Sequence, residues 1–461
     1  MIRYTDLVND TICAQITPPG FGGVSIVRLS GPQSKDMLGH LIGTDKIKKV
    51  ESHRAFLSQL NHPNEKRKID EALITFFEPG KSFTGDSTVE FSLHGSPSIV
   101  KDFLDALKYL GARIAERGEF SFRAFYNGRL DLTQAEAIHS LITSETFHQS
   151  SFALENLEGA FKDDLVEIEK ELIAVLTQIE AAIDFSERDI VTESTEAYSQ
   201  RISEISKRIE QRKSYFQRSK NLLGKTKIVI AGPPNVGKSL LFNALISEER
   251  ALVSDVPGTT RDLVREEVMV GSSLFTFTDT AGIRQTQDPI EKMGIKKGEQ
   301  VTESSDLVLW VNDIENPVPE LPSFLHKHDV LLVQNKIDKL SNSFERSLGN
   351  LQLKDTFIDM AWVSAKTKDG VAQLLNQISN WKNNRASSVE VFYQTSSRQH
   401  TLLLKAFEEV QLGLERSKGQ AEMDLCGFHI REALDCIQNL LGRQFNDEIL
   451  DSIFSGFCLG K

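Results

Sequence analysis

The residues with the most specific chemistry are Gly232-Pro233-Pro234-Asn235-Val236-Gly237-Lys238-Ser239. Their spacing, G-x-x-x-x-G-K-S, is that of a loop whose backbone N–H groups curl around phosphate oxygens. The apolar run Ile228-Val229-Ile230-Ala231 before it predicts a buried strand. The run from Leu240 to Ile246 after it predicts a helix, whose N-terminus adds a field that favours anions. In that setting Lys238 reaches β- and γ-phosphates, and the Ser239 hydroxyl sits on Mg²⁺.

Further motifs follow in an order that fits one nucleotide site. Asp279-Thr280-Ala281-Gly282 comes after an apolar run, and an aspartate there holds the Mg²⁺ shell and senses the γ-phosphate. Asn335-Lys336-Ile337-Asp338 follows the run Val330-Leu331-Leu332-Val333. Asp338 is acceptor-only when ionised and takes both N–H donors on guanine's Watson–Crick edge, which adenine lacks. Ser364-Ala365-Lys366 places a backbone N–H near guanine O6. Together these motifs predict GTP as the ligand. The shell runs from Asn235, Val236 and Gly237 to Lys238, Ser239 and Leu240, then through Gly258-Thr259-Thr260. Thr260 is the switch-loop threonine expected to complete the Mg²⁺ shell with Ser239. Ile283 stands where Ras-like enzymes carry a water-orienting glutamine, so another group must do that work, and Glu291 is the candidate.

The elements that must position these residues are legible from periodicity. Residues 224–383 alternate strand and helix, as in a doubly wound α/β domain. Residues 1–122 mix short strands and helices and read as α+β. Val89, Phe91 and Leu93 alternate with Glu90, and Arg28 falls on the strand face of Val24 and Ile26. A charge there marks either an exposed strand end or a face toward an anionic ligand. Residues 123–223 carry a helical stripe at Leu157, Phe161, Leu165, Ile168, Leu172, Leu176, Ile179 and Ile183. Residues 384–461 carry another, through Leu403, Phe407, Val410 and Leu414, then Ala433, Leu434, Ile437 and Leu441. One helical domain built from both segments, with the α/β domain inserted, is the economical arrangement. Lysines and arginines cluster between 207 and 227 with Glu210 the nearby acid, so that stretch reads as a solvated helix end or an RNA-facing patch.

The 461 residues accommodate several domains, and the net charge of −12 excludes a general pull toward nucleic acid. The four cysteines, Cys13, Cys426, Cys436 and Cys458, form no C-x-x-C pair, which suits a reducing cytoplasm. There is no signal-peptide pattern and no apolar run long enough for a bilayer, so no membrane role is expected.

Other runs carry a resemblance over essentially the whole chain. They are Thr17-Pro18-Pro19-Gly20 with Gly22-Gly23-Val24, Ser82-Phe83-Thr84-Gly85, Gly118-Glu119-Phe120-Ser121, Asn127-Gly128-Arg129-Leu130-Asp131-Leu132 and Phe457-Cys458-Leu459-Gly460-Lys461. With the nucleotide motifs they resemble the MnmE (TrmE) family of tRNA-modification GTPases. Leu459 stands where that family usually has isoleucine, and Arg129 where it often has lysine. The resemblance implies an N-terminal domain that dimerises and binds 5,10-methylene- or 5-formyl-tetrahydrofolate through Arg28, Glu90, Arg129 and Lys461. It implies a homodimer whose GTPase domains pair around K⁺, with Asn235, Ser254, Val256 and Thr259 as ligands. It also implies a flavoprotein partner, MnmG (GidA), and tRNA as substrate, whose wobble uridine receives a (carboxymethyl)aminomethyl group. Cys458 is then a candidate for direct chemistry. A ribosome-assembly switch shares the nucleotide motifs, and a folate-dependent transferase with merely regulatory GTP is the third reading.

Overall fold

The computed structural model describes residues 9–65, 67–184, 195–223, 225–248, 264–271, 273–279, 305–315, 322–339, 359–386, 396–418, 422–444, 450, 453–457 and 460. The chain begins with β1 (Ile12–Gln15), β2 (Gly22–Ser30), α1 (Ser34–Ile42), α2 (Thr44–Ile47), β3 (Ala55–Asn61), β4 (Lys68–Phe77) and β5 (Thr88–Gly95). Next come α3 (Pro97–Tyr109), β6 (Arg113–Ile114), α4 (Glu119–Tyr126), α5 (Leu132–Ile142), α6 (Phe147–Glu158), α7 (Ala160–Asp184) and α8 (Thr195–Leu223). Then follow β7 (Thr226–Ala231), α9 (Lys238–Glu248), β8 (Val264–Val270), β9 (Ser273–Asp279), β10 (Leu307–Asp313), β11 (Val330–Asn335) and β12 (Asp359–Trp362). The last helices are α10 (Val371–Ala386), α11 (Ser397–Arg416) and α12 (Met423–Leu441). Two compact units result: Met1–Thr143 with Ala153–Lys213 and Thr395–Lys461, and Ser144–Phe152 with Ser214–Gln394.

In the first unit a six-stranded sheet has the order β3-β4-β5-β2-β1-β6, antiparallel except for β1 beside β6. Strict alternation on β5 buries Val89, Phe91 and Leu93 and leaves Glu90 and Ser92 part-exposed. The buried side meets Met37, Leu38 and Leu41 of α1 and Val100, Phe103 and Leu107 of α3. Burying apolar area at about 25 cal/mol per Å² is what holds such a layer together.

The helical part of this unit is built from both expected segments. Phe161, Leu165, Ile168, Leu172 and Ile179 are all 0 % exposed, as are Leu403 and Val410 of α11 and Ile437 of α12. Gly159, at φ 107°, separates α6 from α7 with a backbone conformation that favours glycine. Capping boxes at Asp131–Gln134 and Ser396–Gln399 start α5 and α11. The basic stretch finds partners that lie far off in sequence. Arg208 pairs with Glu167 at 3.0 Å and with Glu171, Arg212 pairs with Asp164, and Lys213 lies over the Phe407 ring at 3.8 Å. The acids of α7 thus oppose charges for which the local sequence offered only Glu210.

The second unit is the doubly wound domain that the alternation predicts. Its sheet has the order β12-β11-β10-β7-β9-β8, parallel throughout except for β8 beside β9. Continuous apolar runs make β7, β10 and β11 central strands, since parallel sheets are covered on both faces. Leu241 and Leu245 of α9 and Leu374 and Ile378 of α10 complete the core. Lys225 bridges Glu145 at 3.1 Å and Glu267 at 2.9 Å, which ties the Ser144–Phe152 piece to this unit. Among the described residues no helix is long and apolar enough to cross a membrane.

Candidate functional site

Because β7, β9, β10, β11 and β12 run parallel, the loops after them open on one sheet edge. The order reverses between β7 and β10, and open α/β sheets bind ligands in the crevice at such a point. Gly232 enters it at φ 145°, where a Cβ would strike the Val311 carbonyl of β10. Gly237, at φ 97°, has no room for a Cβ because Asn335 Nδ2 is there. Both glycines of the motif are therefore required by close approach.

Asn335 is the tie of the site. Its Nδ2 donates to the Val236 carbonyl at 2.8 Å, and its Oδ1 accepts from the Ala365 N–H at 2.9 Å. One buried amide so joins the phosphate loop, the loop after β11 and the loop after β12. Of the backbone N–H groups in Ser364-Ala365-Lys366, that of Ala365 is engaged in this tie. Val236 is buried, while Asn235 and Leu240 are exposed. Lys238 Nζ donates to the carbonyls of Gly232 at 3.0 Å and Pro233 at 2.6 Å, folded back over its own loop. Ser239 Oγ donates to Asp279 Oδ2 at 2.7 Å, and Asp279 is buried. Sequence reasoning assigned both groups, together with Thr260, to the Mg²⁺ shell, and both are hard oxygen donors of the type Mg²⁺ takes.

Asp338, after β11, stands exposed. The Ser364 hydroxyl donates to its Oδ1 at 2.7 Å and holds its carboxyl below the usual carboxylate range. Lys336 adopts φ 69° and donates to the Asn235 carbonyl at 2.8 Å and to Asp313 Oδ2 at 2.6 Å. Asp313 was missed in the sequence, where the signal was only an acid closing an apolar run. Lys366 is exposed on the rim. Ser254, Asp255, Val256, Pro257, Gly258, Thr259, Thr260, Thr280, Ala281, Gly282, Ile283 and Glu291 lie outside the described residues, as do Cys458 and Lys461.

A second cluster sits in the first unit. Arg28 and Glu90 are cross-strand partners in the β2–β5 register, joined at 2.9 Å through Nε and 2.8 Å through a terminal nitrogen. Arg28 is only 8 % exposed, so it does not mark an exposed strand end. Its guanidinium lies 5.0 Å from the Phe83 ring centroid and 5.4 Å from that of Phe120. The turn that follows Phe83 reaches Arg129: a Cβ on Gly85 would meet Arg129 Cγ at 3.3 Å. The chain end approaches the same strands, because a Cβ on Gly460 would strike the Gln15 carbonyl, and Gln15 pairs with Val27. Phe454 and Phe457 hold that tail, packed on Phe122 at 5.6 Å and His139 at 4.9 Å between centroids.

Comparison with known proteins gives the family of the whole chain. A profile of the MnmE helical domain matches residues 132–458, and one of the GTP-binding protein TrmE N-terminus matches residues 11–129. The tRNA modification GTPase MnmE of Bdellovibrio bacteriovorus is 36% identical over 480 residues, covering 100% of this chain and 99% of that relative. That of Christiangramia forsetii is 34% identical over 484 residues, covering 98% and 100%. That of Chlamydia caviae is 36% identical over 455 residues, covering 98% and 99%. With full-length identity of this order, and with a phosphate loop, a base-reading loop and an N-terminal sheet all in place, the chain belongs to the MnmE family of tRNA modification GTPases.

Proposed function

We propose that this chain is the GTP-hydrolysing subunit of a tRNA-modifying complex. The carrying observation is the Asn335 amide, which joins the phosphate loop to the base-reading loops at the sheet edge where Ser239 meets Asp279. On GTP binding, Lys238 exchanges the carbonyls of Gly232 and Pro233 for phosphate oxygens. Asp338 accepts the two guanine N–H donors. Ser239 and Thr260 would hold Mg²⁺, which supplies neutralisation of phosphate charge. Asp279 orients that shell, and Glu291 orients the attacking water in place of a glutamine. The Asn235 carbonyl is engaged by Lys336, which leaves its side-chain amide oxygen as the donor for K⁺, alongside Ser254, Val256 and Thr259.

In the first unit, Arg28, Glu90, Arg129 and Lys461 form the folate site of this reading. Glu90 offers acceptors and Arg28 donors, and Phe83 and Phe120 provide flat apolar surface, a donor set that fits a reduced pterin. 5,10-Methylene- or 5-formyl-tetrahydrofolate would supply the one-carbon unit. Cys458, on the tail held by Phe454 and Phe457, is the candidate for chemistry beside it. The protein acts in the cytoplasm as a homodimer with MnmG on the wobble uridine of tRNA. Mass analysis of wobble uridines in a deletion strain tests the reading. Complementation by this chain should restore the (carboxymethyl)aminomethyl group, and Asp338→Asn should not. Unchanged uridines in the deletion strain would remove the proposal.

A further inference from the structure

Lys336 is held at φ 69°, a left-handed conformation that a non-glycine residue adopts only at a cost. Such strain persists where the surroundings over-determine it. Two contacts do so here: Asp313 Oδ2 at 2.6 Å and the Asn235 carbonyl at 2.8 Å, both from the same ammonium. Asn235 is itself left-handed, at φ 64°. Asp313 ends β10, Lys336 follows β11, and Asn235 lies in the loop after β7, so one cation spans three adjacent strand ends. Asp313 is fixed in turn, because its Oδ1 accepts the Glu315 N–H at 3.3 Å. The side chains of Lys336 and Asp313 are 27% and 16% exposed, which shields the pair from most screening.

We propose that Asp313 is a positioning residue of the nucleotide site, aiming the Lys336 ammonium at the Asn235 carbonyl and so coupling the base-reading loop to the phosphate loop. This rests on the guanine-nucleotide reading given above. An ammonium has three donors on a flexible stem, and the Asn235 carbonyl alone does not fix its direction. The carboxylate at the end of β10 supplies the second point. Release of Lys336 frees the backbone at Asn235, on the side of the loop that faces the nucleotide. Asp313 touches no ligand in this scheme and acts through Lys336 alone.

The test is stopped-flow release of a fluorescent GDP analogue from the full-length chain. Asp313→Asn keeps the shape and removes the charge. It should speed release about tenfold, the size expected for one lost charge-assisted hydrogen bond. Asp313→Glu, which keeps the charge, should restore most of the difference. Lys336→Ala should also speed release. On that background Asp313→Asn should add less than about twofold, because the two side chains act as one unit. The KCl concentration for half-maximal GTP hydrolysis should rise in Asp313→Asn. Release from Asp313→Asn within about twofold of wild type overturns the proposal, as do effects that multiply in the double variant. If Asp313→Asn does not fold, Asp313→Ser, which also removes the charge, makes the same comparison alone and with Lys336→Ala. A wild-type chain that fails to bind the analogue removes the guanine-site reading itself, which is a different result.

Discussion

In the proposed guanine site, Asp338 is the residue that reads the base. Its carboxylate faces solvent at the sheet edge with the Ser364 hydroxyl on Oδ1 at 2.7 Å. The substitution Asp338→Asn replaces an acceptor with a donor that faces guanine's own donors. GTP should weaken by about 1.5–3 kcal/mol, the range for hydrogen bonds to a charged group, and xanthosine triphosphate should gain. Competition of both nucleotides for one fluorescent probe measures this, and equal affinities in the variant would refute the role. The sign of the pH dependence follows from the Ser364 hydrogen bond, which holds the Asp338 carboxyl below its ordinary 3.8. The ionised, base-reading form is therefore complete above that value and is lost only as pH falls through the lowered one. Lowering the pH from 7 to about 5 should leave the contribution of Asp338 to GTP affinity unchanged. Burial pushes the Cys13 thiol up to about 12 and that of Cys426 to about 11, so neither is a reactive thiolate at neutral pH.

Close approach within and between elements explains why some residues were readable in the sequence and others were not. The phosphate loop was legible because its glycines, lysine and serine lie within eight consecutive positions, and the strand before it and the helix after it have short periods. The Arg28–Glu90 pair was half legible: alternation gave the faces, but the register that joins β2 to β5 spans 62 residues. The basic stretch was only partly legible for the same reason, since Arg208 meets Glu167 across 41 residues. Asp313 carries no pattern at all, because its partner Lys336 is 23 residues away and only the folded sheet brings the strand ends together. Gly237→Ala tests the loop itself. A methyl there must displace the Asn335 amide from the Val236 carbonyl and accept φ 97°. GTP affinity should fall at least about tenfold while circular dichroism stays unchanged. Wild-type affinity in that variant would show that the amide tie is dispensable. Phe454→Ala tests the tail. The ring is fully buried against Phe122, Phe125 and Phe457, so about 3–5 kcal/mol of unfolding free energy should be lost. Urea denaturation reads that loss. Calorimetry with 5-formyl-tetrahydrofolate should show weaker binding, because the tail no longer holds Gly460 against Gln15.

At the level of the molecule, the question is how hydrolysis is made fast when one chain lacks the usual parts. Apart from the short Ser144–Phe152 piece, the chain leaves its first unit after Lys213 and returns at Thr395, so the nucleotide unit is an insertion in a body made from both ends of the sequence. Among the described residues, two lysines stand by the phosphate loop. Lys336 is committed to Asp313 and Asn235, which leaves Lys238 for the phosphates. Ile283 offers no hydrogen bond to a water. In the reading proposed above, further charge stabilisation comes from a monovalent cation held by Asn235 at a junction of two copies. K⁺ suits a ring of amide and carbonyl oxygens better than the smaller, more strongly hydrated Na⁺. Three results follow for steady-state GTP hydrolysis. Turnover in KCl should exceed turnover in NaCl at matched ionic strength, and activity per chain should rise with protein concentration in KCl because pairing is second order. Asn235→Ala should abolish the salt difference while GTP still binds. Glu291→Ala should lower kcat with little change in GTP affinity, as expected of a group that acts in the transition state. Equal rates in the two salts for wild type remove the cation from the mechanism, and unchanged kcat in Glu291→Ala removes the glutamate. Activity per chain that is independent of concentration, with the KCl effect intact, leaves the cation but assigns it to one chain alone.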